Sequence, residues 1–479
     1  MRFSLILSSS CLALALTACA TIPNLGDKPA LLNATTLKSS QSLSAQTPNW
    51  PASSWWADFG DPQLSALISE ALSASPDVAS ASARIRAAEA LANQAGAASL
   101  PSANIDASAG GTQQSRNLGI PPQFIPKGIQ DTAKITGGIS FDLDLWGKNR
   151  AALAAATSQA EAARVDADQA KLMLSTGVAA AYGELAQYYT QRDVAISALK
   201  VREATAQLTN DRVLVGVDTR GSLRQAQSLV PAARADIAAL DEAIALTQHR
   251  LAALLGAGPD RGLTIQRPQL PAHETMMPDS AGIELIGRRP DIVAARLRAE
   301  AAEKRIKVAR ADFYPNINIS AIIGLQSLGL GSLFKSSSLY GSGGPAISLP
   351  LFDGGRISAQ YAGARAEYDE AVADYNNTLI NALREVADAA TSSHAAALRL
   401  GLQREALNAA AEASKIAALR YRGGLSGQLP VLAADDFELG ARRVVADLEA
   451  RRLLLDIALI RALGGGYFLA KLQQDNKNG

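Results

Sequence analysis

The chain carries one large segment twice. "SPDVASASARIRAAEALANQAGAASLPSANIDASA" begins at Ser75, and "RPDIVAARLRAEAAEKRIKVARADFYPNINISAII" begins at Arg289. Pro76 matches Pro290, Asp77 Asp291, Arg84 Arg298, Glu89 Glu303, Pro101 Pro315 and Ile105 Ile319, all at an offset of 214. Downstream, "LDLWGKNR" pairs with "LPLFDGGR" at an offset of 206, and "RVLVGV" from Arg212 pairs with "RYRGGL" from Arg420 at 208. A period this long is a tandem duplication of a whole structural unit, not a solenoid. Any fold for this chain must use one design two times.

Each copy opens with a helix, over 76–98 and 290–313. Pro stands in the first turn with Asp beside it, where the helix dipole favours a negative charge. Pro101 and Pro315 then stop those helices. A β-hairpin follows. Its first strand is expected over 103–109 and 317–326, its second over 134–146 and 345–352, with Gly/Ser/Pro-rich loops around 110–131 and 328–344. Next comes a Pro-free helical stretch, about 149–214 and 356–421. Some 60 residues at 1.5 Å each make a rod of roughly 90 Å, so an elongated molecule is expected. Gly-containing turns, "VGVDTRGS" and "GGLSGQ", lead into returning helices that end at Gly256 and Gly464.

The strands set the harder constraint. In "ITGGISFDLDLWGKN", Ile135, Gly137, Ile139, Phe141, Leu143 and Leu145 alternate with Thr136, Gly138, Ser140, Asp142 and Asp144. Ile317, Ile319, Ala321, Ile323 and Leu325 alternate in the same way with Asn318, Ser320 and Gln326. Period 2 means one apolar and one polar face, and about ten residues suffice for a tilted strand to cross a bilayer. A soluble sheet with one buried face produces the same alternation. In lipid an open sheet edge is not tolerated, and membrane barrels have at least about eight strands. Four strands per chain therefore require pooling: two chains give a filled eight-stranded barrel, three a twelve-stranded one with a lumen. Ile and Leu would then face lipid, and Asp142, Asp144, Asn318 and Ser320 water. Trp146, Phe313, Tyr314 and Phe352 stand at the strand ends, where aromatic girdles belong.

The N-terminus reads as a processing segment: Arg2, then a mostly apolar run to Ala15, then "LTAC" ending at Cys19. The small residues run straight into the Cys, the pattern of a bacterial lipobox. That pattern implies cleavage before Cys19, a covalent diacylglycerol and N-palmitate on it, and, with Ala20 following, sorting to the outer membrane. The only other cysteine, Cys11, lies in the removed segment, so no disulfide is expected. No later stretch offers some 18 uninterrupted apolar residues for a helical span.

Composition excludes several functions. Lys+Arg 46 against Asp+Glu 45 provides no basic excess for nucleic acid. Apolar residues make up 48% but aromatics only 5%, an Ala-rich balance suited to long, closely packed helices. His249, His273 and His394 lack metal-ligand spacing. There is no nucleophile elbow or phosphate loop, and Asp435 and Asp436 face different sides of a helix. An enzyme is not expected. The expected division is a signal peptide (1–18), a lipid anchor with an extended segment (19–61), repeat 1 (62–270), repeat 2 (271–465) and a polar tail (466–479).

Together, the lipobox, the duplicated "SPD/RPD…P" unit, "FDLDLWGKNR" and "LPLFDGGR" resemble the outer membrane factors of Gram-negative efflux systems, the TolC-like channels, in their OprM/NodT-type lipoprotein subgroup. The resemblance spans about residues 16–465. It implies an α+β membrane fold: a homotrimer with a 12-stranded outer-membrane β-barrel continued by a periplasmic α-helical barrel. It implies a passive exit duct without a cofactor, served by a periplasmic membrane-fusion adaptor and an inner-membrane transporter of the resistance-nodulation-division type. The gate and the adaptor are expected at the helical turns, 213–224 and 421–436. Gly216, Val217, Gly424 and Leu425 are the expected docking positions, and Asp218, Arg220, Asp435 and Asp436 the constriction candidates. Where the family often places a gating Asp, this chain has Ala433. The rival reading, from another class, is a periplasmic lipoprotein that scaffolds envelope complexes through its coiled coils without spanning the membrane.

Overall fold

A computed structural model describes residues 22–38, 43, 50–115, 117, 119, 121–270 and 281–468. The signal peptide, Cys19 and the tail from residue 469 onward lie outside the described residues. Helix α1 (Pro62–Ala74) leads into α2 (Pro76–Ala97), strands β1 (Ser102–Thr112) and β2 (Gln130–Asp142), and helices α3 (Lys148–Leu214) and α4 (Arg220–Leu254). After one turn of helix, α5 (Asp260–Leu263), the order returns as α6 (Ala281–Arg288), α7 (Pro290–Ala311), β3 (Asn316–Leu328), β4 (Leu339–Ser348), α8 (Arg356–Arg422) and α9 (Leu429–Ala462).

The chain divides into two compact units. One comprises residues up to 30 with 85–162 and 296–374 and holds the sheet; the other comprises 31–84, 163–295 and 375 onward. The sheet is antiparallel with order β1-β2-β3-β4, so the two hairpins lie side by side through β2 and β3.

The second strand of each hairpin starts and ends earlier than expected. β2 ends at Asp142 rather than Trp146; Leu143 N makes the last rung, to Ile317 O at 3.1 Å. Asp144 is not a lumen-facing strand residue. It adopts φ 42°, and its carboxylate accepts from Asn149 N (2.9 Å), Arg150 N (3.0 Å) and Arg150 Nε (3.2 Å). The unpaired N–H groups at the start of α3 need acceptors, and that demand overrides the alternation. Asp353 does the same for α8, accepting from Gly355 N at 3.0 Å and Ile357 N at 2.9 Å. β4 correspondingly covers Leu339–Ser348, so Pro345 is an interior residue and 349–352 lies beyond the strand. Its place at the sheet edge accommodates a residue with no N–H to donate.

Sequence reading missed α1 and α6, and these short helices seed the cores of the second unit. From α1, Leu64, Leu67, Ile68 and Ala71 pack with Trp55, Phe59, Val178, Tyr182, Leu251 and Ile460. Asp61 caps α1 at Gln63 N (2.8 Å) and also accepts from Tyr182 Oη (2.8 Å) and Gln269 N (3.1 Å). Burial, with this carboxylate beside it, pushes the Tyr182 phenol up, so it stays a hydrogen-bond donor. From α6, Leu285 packs with Ile292, Tyr375, Leu379, Val386, Leu459 and Leu463. Arg289, buried at the start of α7, reaches Asp291 (2.6 Å), Glu385 (2.9 Å) and Ala462 O (3.1 Å). The duplicated sequence thus yields two cores of the same construction.

Candidate functional site: a two-faced sheet and paired helical turns

Cross-strand register sorts the sheet into two continuous faces. Ile105, Ile135, Gly137, Ile139, Ile319, Ala321 and Ile323 share one face with Leu339 and Ile347. Asp106, Lys134, Ser140, Asp142, Asn318 and Ser320 share the other with Ser342 and Tyr340. The polar face is internally hydrogen-bonded: Thr136 Oγ1 meets Tyr340 Oη, and Asn318 Nδ2 donates to Ser140 Oγ at 3.0 Å. The apolar face is bare within the chain, with Ile105 81% and Ile347 70% exposed. β1 and β4 each leave one edge unpaired.

Aromatic residues bracket this face. Beyond the helical end of the sheet, Trp146 stacks on Tyr314 with centroids 4.8 Å apart and donates Nε1–H to Pro315 O at 2.7 Å. Phe352, four residues past β4, is 92% exposed. In the two hairpin loops, Phe124 and Phe334 are exposed. Tyr and Trp with one wet and one apolar end suit a membrane interface. Among the described residues no helix is long and apolar enough to cross a membrane, and none of the Asp, Glu and His groups forms a metal site.

The helical turns are the second feature. Gly216 (φ 79°) and Gly424 (φ 73°) take the left-handed conformation that ends α3 and α8. Val217 N bonds Arg212 O at 2.8 Å, and Leu425 N bonds Arg420 O at 2.9 Å, the six-to-one closure of a glycine C-cap. The residue after such a glycine usually packs back on its helix. Here that residue, Val217 or Leu425, is 61% or 74% exposed.

Arg212, Asp218 and Tyr421 tie the two turns together. Tyr421 Oη donates to Asp218 Oδ2 at 2.9 Å, Arg212 Nε to the same oxygen at 3.3 Å, and Arg212 Nη1 to Tyr421 O at 3.1 Å. The Arg212 guanidinium lies 4.3 Å from the Tyr421 ring centroid, and Tyr421 is 1% exposed. Burial raises the Asp218 carboxyl, but hydrogen bonds from Tyr421, Thr219 N and Arg212 outweigh it and hold it below the ordinary value. Arg220, two residues on, is exposed and outside this cluster.

Asp435 and Asp436 bind different partners, as their adjacency on α9 predicts. Ser414 Oγ donates to Asp435 at 2.8 Å, and Arg202 pairs with Asp436 at 3.3 Å. Burial, then repulsion from Glu438 and Asp436, pushes the Asp435 carboxyl up despite the Ser414 bond. Ala433 is exposed. Sequence reading missed Arg212, Tyr421, Ser414 and Arg202. The first two were within reach, because "RVLVGV" and "RYRGGL" align at those turns.

Residues 67–257 and 283–465 match the outer membrane efflux protein family. The multidrug resistance outer membrane protein MdtP of Escherichia coli (strain K12) is 31% identical over 438 residues, 90% of this chain and 90% of that protein. The fusaric acid resistance protein FusA of Burkholderia cepacia is 35% identical over 372 residues, 76% of this chain and 69% of that protein. Among solved structures, the outer membrane protein VceC of Vibrio cholerae has 42% identity and a TM-score of 0.83, covering 87% of this chain and all of that one (100%). The outer-membrane channel OprN has 29% identity and a TM-score of 0.83, covering 94% and 99%. OprN is an outer-membrane channel, and the matched family is one of efflux proteins rather than enzymes. The chain belongs to the outer membrane efflux protein family and has the fold of its TolC-like channels.

Proposed function

We propose that the chain, an outer-membrane exit duct, works as a homotrimer whose pooled sheets close a twelve-stranded barrel. The bare apolar face bounded by two unpaired edges carries this reading. Lipid can cover the face, but only another strand can satisfy the edges. A periplasmic scaffold leaves both exposed to water, which disfavours that rival. Repeat 1 (62–270) and repeat 2 (271–465) each supply one hairpin to the barrel and one pair of long helices to the tunnel. The periplasmic adaptor docks at Gly216, Val217, Gly424 and Leu425 and connects the duct to an inner-membrane transporter of the resistance-nodulation-division type. The native mass of protein extracted from outer membranes tests the assembly. A trimer is expected; a monomer would mean that the four strands do not span lipid.

In the same reading Cys19 carries diacylglycerol and an N-palmitate that fix the segment from 19 to 61 to the membrane. The course of the N-terminal segment supports this. Arg365, itself nearly buried, donates to Gly26 O (3.2 Å) and to Asp27 O, while Tyr368 Oη donates to Pro29 O at 3.2 Å. Lys28 pairs with Glu303 at 3.5 Å. The segment therefore runs in the same direction as α8. The described start of the segment, before Gly26, thus lies towards the start of α8. Arg365→Ala should expose the 22–30 segment to protease without dissociating the trimer, since it removes two anchoring bonds and nothing at the strand edges. Limited proteolysis with mass spectrometry checks this, and unchanged cleavage refutes the anchoring role.

The constriction is assigned to Asp218, Arg220, Asp435 and Asp436, and the carboxylates differ in sign. Asp218, held low, stabilises the fold above the ordinary carboxylate value of about 3.9, and this is lost as pH falls through its lowered value. Asp435, held high, costs stability once ionised, and the cost vanishes as pH falls through its raised value. At pH 7, Asp435→Asn should raise the thermal midpoint of the extracted protein and Asp218→Asn should lower it. The Asp435→Asn gain should shrink towards pH 4. Melting curves at the two pH values test the signs.

A further inference from the structure

We propose that neighbouring copies join through α2 and α8 as well as through strands: α2 of one copy packs antiparallel on α8 of the next, and Arg84 and Arg86 meet Glu367 and Glu370 across that seam. The inference rests on the homotrimer reading above and names the helix faces and charges that would join the copies.

Strand order selects the two helices. β1 and β4 carry the unpaired edges, so closing a ring sets β1 of one copy beside β4 of the next. Four residues separate α2 from β1 and seven separate β4 from α8, so each helix stays near its edge. One runs towards the sheet and the other away from it, which makes the pair antiparallel. Inside the chain α3 is enclosed, with only Thr157 exposed between residues 151 and 162. α2 and α8 each keep an open face.

The open faces match residue by residue. Ala87, Ala90 and Gln94 on α2 are exposed, as are Ala359, Gly363 and Ala366 on α8. Both rows step by three and four residues, the spacing of helices packed side by side. Counted from the helix ends nearest the sheet, Ala97 and Arg356, the rows coincide: Gln94 and Ala359 at three residues, Ala90 and Gly363 at seven, Ala87 and Ala366 at ten. Gly363 is the independent sign. Glycine weakens a helix interior relative to alanine. A Cβ at Gly363 would meet nothing within 4 Å inside the chain, and no positive φ demands glycine there. Close approach of a second helix supplies the missing reason.

Charge selects the same partner. Arg84 and Arg86 on α2 and Glu367 and Glu370 on α8 are exposed, and none has an ion-pair partner among the described residues. By the same count the arginines stand thirteen and eleven residues from the helix end, and the glutamates eleven and fourteen. Opposite charges at one level make the two faces complementary. A lipid surface satisfies the arginines but leaves the glutamates unmatched. Two different faces that fit each other form a head-to-tail contact, and such contacts close a ring of copies.

The test uses the full-length chain in outer membranes. Ala87→Cys/Ala366→Cys and Ala90→Cys/Gly363→Cys bring paired thiols within disulfide reach, so each should give covalently linked trimers on a non-reducing gel, and no single substitution should. Arg84→Glu/Arg86→Glu and Glu367→Arg/Glu370→Arg should each lower the amount of trimer severalfold at low salt. All four substitutions together should restore it. Gly363→Leu, which meets no obstacle inside the chain, should lower trimer about tenfold. A trimer that forms neither disulfide overturns the seam and leaves the homotrimer reading intact. Failure of the fourfold variant to recover overturns the ion pairs, and full assembly of Gly363→Leu overturns the close approach. An unmodified protein that is monomeric overturns the homotrimer reading itself.

Discussion

Lysine at Ile323, near the middle of β3 on the apolar face, should abolish outer-membrane assembly, while lysine at Ser320 on the opposite face should be tolerated. In membrane barrels a lipid-facing Lys at the bilayer midplane costs about 2–4 kcal/mol. A trimer repeats it in three subunits, so the total rivals the whole stability of an ordinary domain, about 5–15 kcal/mol. Ile323 pairs with Gly137 and Gly341 in register and is exposed within the chain. No neighbouring side chain can shelter the charge from lipid. Ser320 sits opposite Ser140 and Gly344 on the polar, internally hydrogen-bonded face. Ile319→Asp and Asn318→Asp form a second pair at the strand start, with a smaller contrast, because depth reduces the penalty near the interface. The readout is the amount of heat-labile trimer in the outer-membrane fraction. Equal assembly of Ile323→Lys and Ser320→Lys would refute the assignment of faces and with it the barrel.

The alternation that supports this prediction was legible because a strand has an integer period. Every second residue shares a face whatever the register, so Ile135 and Ile319 declare their side without knowledge of their partners. Strand ends were not legible by the same rule. Leu143 and Leu145 continue the alternation of β2, yet Asp144 turns the chain to serve the first N–H groups of α3. Periodicity carries no information about such a competing demand. The helices α1 and α6 escaped for a different reason. Each is short, and its apolar residues read as loop until Leu64 or Leu285 is seen buried at 2% or 0% exposure.

Within the turns, glycine positions were readable because only glycine adopts a positive φ cheaply, and Gly216 and Gly424 both do so. The ties between turns were not. Arg212 and Tyr421 are 209 residues apart, and nothing local marks Tyr421 as the partner of Asp218. Duplication points to both positions but hides their difference. The second copy has Ser426 where the first has Asp218, so only one turn carries the carboxylate. Among the described residues this asymmetry leaves one carboxylate bridge between the turns, built from Asp218, Arg212 and Tyr421.

Breaking that bridge should open the duct. Tyr421→Phe removes one hydroxyl and keeps the ring beneath Arg212; Asp218→Asn keeps the shape and removes the charge. A hydrogen bond to a charged group contributes about 1.5–3 kcal/mol. Three copies in a trimer supply about 4.5–9 kcal/mol in favour of tied turns, and each 1.4 kcal/mol is about tenfold in an equilibrium constant. If closure requires the turns to be tied, the double variant shifts the open-to-closed ratio by about a thousandfold or more. Planar-bilayer recordings should then show long open dwell times and higher mean conductance. Cells should become sensitive to bulky antibiotics that the outer membrane ordinarily excludes. Asp435→Ala/Asp436→Ala should also raise conductance, but less, since Ser414 and Arg202 make single contacts with those carboxylates. A double variant that conducts like the unmodified protein would show that the turns do not set the closed state. The constriction would then have to be sought along α9, where Ala433 and Phe437 are exposed one helical turn apart.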